Sequence, residues 1–198
     1  MKLIIITGPS GSGKSSLGKA LKSKLKNSHI LCTDDFYKTG LISYLLSKVI
    51  KSYFDKIISL NQKLLKRDIT EIIKNKKIDH IYNYDFKKKR INTIYKNSMH
   101  IENLIIEGIF GLNIINFISK YDYLLIRLKI DKEICKERII ERDQNERGKD
   151  QKKSIEDFQN AWEIYQIKEK INQRLNIKKE LIFKKDPSIE VILKKLIK

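Results

Sequence analysis

The chain has 198 residues, 41% of them hydrophobic and 33% charged, and its 42 Lys and Arg against 24 Asp and Glu leave a net charge of +18. That length and apolar content predict one domain over residues 1–198 with a single continuous core, and exclude a disordered polycation. Thirty-five of the cations are Lys and seven are Arg, while Ile occurs 36 times and Val and Ala twice each; so general a skew makes the basic charge a set of solvated Lys faces before it marks a nucleic-acid or membrane partner.

Lys2 to Thr7 is a short β-branched run that reads as a strand buried on both faces. Ser15 to Lys26 reads as a helix, with Leu17, Leu21 and Leu25 on one stripe. His29 to Cys32 is a second strand, leading into Asp34-Asp35-Phe36-Tyr37. From Leu41 to Lys77 the apolar spacing is helical, with a break between Leu60 and Lys63, and Tyr82 to Phe86 interrupts the pattern. Leu104 to Glu107 and Tyr121 to Ile130 are of strand type, Asp131 to Asp143 and Ser154 to Asn176 are helical, Leu181 to Phe183 is a brief strand, and Pro187 is placed to open a terminal helix at its first position. Strands alternating with helices predict a three-layer α/β/α fold around a mostly parallel sheet. The two cysteines, Cys32 and Cys135, lack CxxC spacing and read as free thiols. The apolar start of the chain is too short for a signal peptide, and no run approaches a membrane span, so a cytoplasmic protein without a membrane partner is expected.

Gly8-Pro9-Ser10-Gly11-Ser12-Gly13-Lys14-Ser15 fits GxxxxGK[ST] without a mismatch, between a predicted buried strand and an amphipathic helix. The glycines let successive backbone N–H groups converge on phosphate oxygens, and the helix that begins at Lys14-Ser15-Ser16 presents its positive end to the same anion. Lys14 would reach the β- and γ-phosphates and the Ser15 hydroxyl would bind Mg²⁺. No [NT]KxD guanine motif occurs in a fitting position, and motor domains need a longer chain, which leaves a small-molecule kinase.

Asp34 follows the second strand by two residues and Glu107 ends the Leu104-Ile105-Ile106 run, so both are predicted at the C-terminal edge of the sheet. Asp34 there can take a proton from an acceptor hydroxyl, and Glu107 can hold Mg²⁺ directly or through water. The bland alternative for Asp34 and Asp35 is a turn cap. Arg138 and Arg142 share a helix face, with Arg147-Gly148-Lys149 as a mobile turn beyond them, and cations so placed can close over a triphosphate. His29, His80 and His100 have no acidic partner at motif spacing and read as surface or strand-edge residues; Trp162, with Ile155, Phe158 and Tyr165, reads as core.

These segments together resemble the uridine kinase family and its nicotinamide riboside kinase relatives. The resemblance rests on GPSGSGKS at 8–15, DDFYK at 34–38, YFD at 53–55, YDF at 84–86, LIIEG at 104–108 and RDQNERGKD at 142–150. It implies a P-loop kinase with an Arg-bearing lid near 142–153. ATP or GTP would be the donor, bound by Gly8, Ser10, Gly11, Ser12, Gly13, Lys14, Ser15, Ser16 and Lys149, and Mg²⁺ would sit on Ser15, Glu107 and Asp34. It further implies Asp34 as the base for the 5′-hydroxyl, Asp55 on the ribose hydroxyls, Tyr37 and Tyr84 lining the nucleoside pocket, and Arg142, Arg147 and Lys149 in the lid. The family's Arg ahead of the lid lies three residues before RD, whereas Arg138 lies four before Arg142, and it is read from its helix face as a further phosphate or substrate contact. Lys89 stands where the family carries a His beside the base, so the base contact does not carry over. The expected activity is phosphorylation of a nucleoside, uridine or cytidine, with nicotinamide riboside, pantothenate or another small hydroxyl compound as alternative acceptors. A nucleic-acid-binding NTPase and a non-catalytic nucleotide sensor are weaker alternatives. The expected partner is the small-molecule substrate and no specific nucleic acid, with homo-oligomer formation left open.

Overall fold

A computed structural model describes residues 1–86, 88–172, 177 and 179–197. The central sheet is built from β1 (Lys2–Thr7), β2 (Ser28–Cys32), β5 (Asn103–Glu107), β6 (Tyr123–Leu128) and β7 (Glu180–Phe183), in the order β2-β5-β1-β6-β7. All four pairings are parallel. In β1 the two-residue period sends Leu3 and Ile5 to one face and Ile4 and Ile6 to the other, and each pair is buried in a different core. On the first face Leu65 and Ile69 of α3 (Gln62–Asn75) and Ile114 and Ile118 of α4 (Gly111–Ile118) complete the packing. On the second, Leu17 and Leu21 of α1 (Lys14–Lys24), Cys135 and Ile139 of α5 (Lys132–Arg147), Phe158 of α6 (Gln151–Asn172) and Ile192 of α7 (Ile189–Ile197) do so. Each fully buried Ile or Leu contributes about 1.5–3 kcal/mol relative to exposure. The predicted three-layer α/β/α architecture is the observed one.

The segment 41–77, predicted helical with a break between Leu60 and Lys63, is interrupted over a longer stretch. Its helical spacing is realised twice, in α2 (Leu41–Val49) and α3, with two 3-10 turns at Tyr53–Asp55 and Ile57–Ser59 between them. Lys77 already belongs to β3 (Lys77–Asp85), which pairs antiparallel with β4 (Arg90–His100), so that Tyr84 faces Ile91 and Asp85 faces Arg90. Only Ile78 and Tyr84 of β3 are buried and most of β4 is exposed, which leaves too little alternation to distinguish a strand from a helix by pattern.

Three helix ends also shift. The α5 helix continues to Arg147 and stops at Gly148, whose φ of 63° is the left-handed cap, so Arg147 is helical and not part of a mobile turn. Pro187 lies one residue before the cap of α7: the Ser188 hydroxyl accepts from Val191 N at 3.4 Å, and the helix begins at Ile189. The α6 helix starts three residues before Ser154; the predicted residues 173–176 lie outside the described ones.

Gly108 sets the spacing between the ends of β2 and β5, because a Cβ there would overlap the Thr33 hydroxyl and stand 2.9 Å from its Cβ. Gly108→Ala is expected to cost about 2 kcal/mol or more and lower the midpoint of thermal unfolding by at least about 4 °C, read by circular dichroism.

Candidate active site

The phosphate loop folds back on itself before α1 begins. Ser12 N donates to the Pro9 carbonyl at 3.2 Å, and Gly13, at φ 86°, precedes the first turn of α1. Gly11 lies so close to the Cys135 carbonyl that no side chain fits there, which seats the loop against the start of α5. The Lys14 ammonium is buried inside the curl and donates to the Pro9 carbonyl at 2.9 Å. Burial lowers its pKa, and the Glu107 and Asp34 carboxylates oppose that shift. Ser12 is buried with its hydroxyl unpartnered among the described residues, whereas Ser16 is exposed on α1.

The strand register carries the carboxylates to the same place. Ile6 and Cys32 both pair with Glu107, so β1, β5 and β2 end side by side. Glu107 accepts from the Ser15 hydroxyl at 2.9 Å. Asp34, on the short turn after β2, is raised in pKa by burial and then by Glu107, with Lys14, Tyr37 and Arg147 acting against the rise. Its Oδ1 is buried without a hydrogen-bond partner among the described residues. Asp35 turns the other way and accepts from Tyr84 N at 2.9 Å, and burial pushes its pKa up to about 6. The pair is therefore divided: Asp35 anchors the β3–β4 hairpin, and Asp34 stands in the site. One orphaned carboxylate oxygen beside a Ser–Glu pair suits a hard cation that keeps most of its waters, as Mg²⁺ does. Ser15, Glu107 and Asp34 fit that role.

Beside Asp34 the rings of Tyr37, Phe54, Tyr84 and Phe86 meet edge to face or tilted, with centroids 5.0–6.3 Å apart. Tyr37 and Tyr84 are buried inside this cluster, and Phe86, 41% exposed, offers the open ring. The Tyr37 hydroxyl donates to the Phe54 carbonyl at 3.0 Å. Asp55 follows on the Tyr53–Asp55 turn; burial raises its pKa to about 6, with Lys168 of α6 as the main opposing charge. Lys89 stands 5.3 Å from the Tyr44 ring and 5.9 Å from that of Phe54.

The cations of α5 divide as well. Arg138 lies over the loop, its Nη1 3.7 Å from where a Gly13 Cβ would be, and donates to Asp186 at 3.4 Å. Arg147 caps the Phe86 ring at 4.4 Å and feels the Asp34 carboxylate. Arg142, Arg147 and Lys149 all pair with the buried Asp143, at 2.9, 3.5 and 3.3 Å, and Lys149 also pairs with Asp157 at 2.9 Å. Asp143 and Lys168 were not among the predicted site residues. The signal for Lys168 is a cation on the stripe of Phe158, Trp162 and Tyr165; Trp162 packs against those two rings and also walls the cleft next to Pro9 and Ser10.

His80 is not a lone surface residue. It bonds Asp79 at 2.6 Å and Asp68 at 3.4 Å, and Asp68 also takes Arg67 at 3.0 Å. Asp68, Asp79 and His80 border a cavity of about 370 Å³ between β2 and the hairpin, which no phosphate-loop residue lines. Among the described residues no helix is long and apolar enough to cross a membrane.

A family profile described as AAA domain matches residues 4–159. The uridine kinase of Schizosaccharomyces pombe is 31% identical over 156 residues, 76% of this chain and 33% of that protein. The uridine-cytidine kinase C of Dictyostelium discoideum is 32% identical over 110 residues, 54% of this chain and 23% of that one. The chain thus spans a third or less of these two relatives. A uridine kinase of Streptococcus pyogenes is 27% identical over 158 residues, 79% of this chain and 74% of its own length. Among solved structures, a Saccharomyces cerevisiae protein described as a P-loop containing kinase with a circular permutation superposes with a TM-score of 0.69 at 12% identity, covering 94% of this chain and 93% of that one. One from Silicibacter sp. TM1040, described as a fructose transport system kinase, gives 0.67 at 16%, covering 92% and 89%. The fold is that of P-loop kinases.

Two measurements follow from the buried charges. The native pKa of Asp34 lies above its unfolded value, so the stability it costs is absent below the unfolded pKa and grows as pH rises toward the native one. Asp34→Asn is therefore expected to raise the unfolding midpoint of the ligand-free protein at about pH 8, with the gain vanishing near about pH 4. Asp143→Asn removes the carboxylate shared by three partly exposed cations and is expected to cost about 1–2 kcal/mol by urea unfolding.

Proposed function

The chain belongs to the AAA domain family, and from that premise we propose that it transfers the γ-phosphoryl group of ATP to the 5′-hydroxyl of a nucleoside, uridine or cytidine. The observation that carries this reading is Asp34: a carboxylate with a buried, unpartnered oxygen and a raised proton affinity, next to the lysine and serine of a phosphate loop. A raised pKa makes the carboxylate a better proton acceptor.

In this reading the loop N–H groups and Lys14 hold the β- and γ-phosphates, and Ser15, Asp34 and Glu107 would hold Mg²⁺, Glu107 directly or through water. Bound there, Mg²⁺ neutralises charge on the transferring group. Asp34 receives the proton as the acceptor oxygen attacks phosphorus, and Asp55 accepts from the sugar hydroxyls. Arg138 lies on the loop side, and Arg147 reaches from the aromatic side toward Asp34. Arg142 and Lys149 complete a lid over the triphosphate once drawn from Asp143. The lid's closure over 142–153 excludes water that would otherwise hydrolyse the donor.

The cations beside the open rings, Lys89 at Phe54 and Arg147 at Phe86, favour a neutral nucleoside over a pyridinium one such as nicotinamide riboside. Pantothenate, which is anionic, remains the second acceptor to test.

ADP release from ATP and Mg²⁺ is to be measured with uridine, cytidine, nicotinamide riboside and pantothenate, and turnover is expected with the pyrimidine nucleosides. Asp34→Asn should lower kcat by about 10²–10⁴-fold with ATP affinity within about threefold of wild type, while Lys14→Ala loses both. Hydrolysis stimulated by polynucleotide in place of these acceptors would refute the proposal.

A further inference from the structure

A lysine on a surface helix runs its stem along the surface and keeps its charge in water. Lys168 of α6 does the reverse. Its Nζ reaches into the cleft between the helix and the phosphate loop, which it walls with Pro9, Ser10, Asp55 and Ile109. There it donates to the Asp55 carbonyl at 2.6 Å and stands 4.6 Å from the centre of the Phe110 ring. That is its only hydrogen bond among the described residues, although an ammonium has three N–H groups to place. Burial draws its pKa down to about 8, against the pull of Asp55. The charged groups facing Asp55 are Lys168 and Asp157 of α6, Asp34 after β2, and Lys149 between α5 and α6; Lys168 acts on it most strongly of these.

Packing alone accounts for none of this. The neighbours of Lys168 on its stripe, Ile164 and Tyr165, are aliphatic and aromatic, and an apolar side chain of the same length would fill the space without desolvating a charge. A cation can hold the short turn by its carbonyl while its charge acts on the Asp55 carboxylate of the same residue. Resting on the kinase reading above, we propose that Lys168 is a positioning residue of the acceptor site, fixing the Tyr53–Asp55 turn against the phosphate loop so that the Asp55 carboxylate meets a sugar hydroxyl of the acceptor. The acceptor class is then one that carries hydroxyls beside the one phosphorylated, as a ribonucleoside does. The donor nucleotide, held by the loop and α5, does not depend on this contact.

Steady-state kinetics with uridine and cytidine separate the possibilities, run on wild type, Lys168→Met, Lys168→Gln and Lys168→Arg, with the unfolding midpoint of each measured alongside. The KM for the nucleoside is expected to rise about tenfold in the Met and Gln variants while the KM for ATP stays within about twofold, and Arg should restore most of the difference. A nucleoside KM within about twofold of wild type overturns the proposal. So does an equal rise in both KM values with a lowered midpoint, the mark of a strut between α6 and the turn. Wild-type enzyme that phosphorylates no acceptor removes the kinase reading and the role of Lys168 with it; wild-type turnover with unchanged variants removes the role of Lys168 alone.

Discussion

Glu107 and Lys14 are buried where three parallel strands end, and the half-buried Asp34, its Oδ1 shut off from solvent, joins them there. Neither sign could be kept there alone. Burial presses Lys14 to lose its proton and Asp34 to keep one, and each acts against the shift of the other. The sheet order makes the meeting possible: with β5 between β1 and β2, the loop after β1, the last residue of β5 and the turn after β2 fall on adjacent strands. The close approaches of Gly11 to Cys135 and of Gly108 to Thr33 keep the surrounding segments at the separation this requires.

Such a centre is costly to the free protein. Asp34 and Asp55 are both pushed toward their neutral forms, and the site is among the least comfortable places in the fold for charge. A chain selected for stability alone would place apolar groups there. Asp35 shows what the alternative looks like one residue away, since its carboxylate is partnered by a backbone N–H and holds the hairpin in place.

How much of this was legible in the sequence depended on whether the signal was local. The phosphate loop, the strand-end positions of Asp34 and Glu107 and the layer architecture follow from short-range pattern: a β-branched run, a glycine-rich turn, an acidic residue at its end. The β3–β4 hairpin was not legible, because only Ile78 and Tyr84 are fully buried along β3, with Ile81 and Tyr82 half-buried against the same core, and β4 is largely exposed, so neither strand alternates visibly. Gly148, five residues beyond the predicted end of α5, was the overlooked stop signal that keeps Arg147 helical. Partnerships across distant segments were invisible in principle. Nothing near Asp68 announces His80, and nothing near Lys168 announces a carbonyl 113 residues earlier.

The Asp143 carboxylate bears on selectivity among anions. Arg142, Arg147 and Lys149 are not idle charges waiting in solvent; they already share one buried carboxylate at 2.9–3.5 Å. An incoming anion must win them from an incumbent, and orthophosphate or a stray carboxylate offers little more than the incumbent does. In the proposed kinase reading, a donor carrying several charges in a row can engage two or three of these cations together, which a singly charged anion cannot, so the resting pairing with Asp143 would favour a polyphosphate.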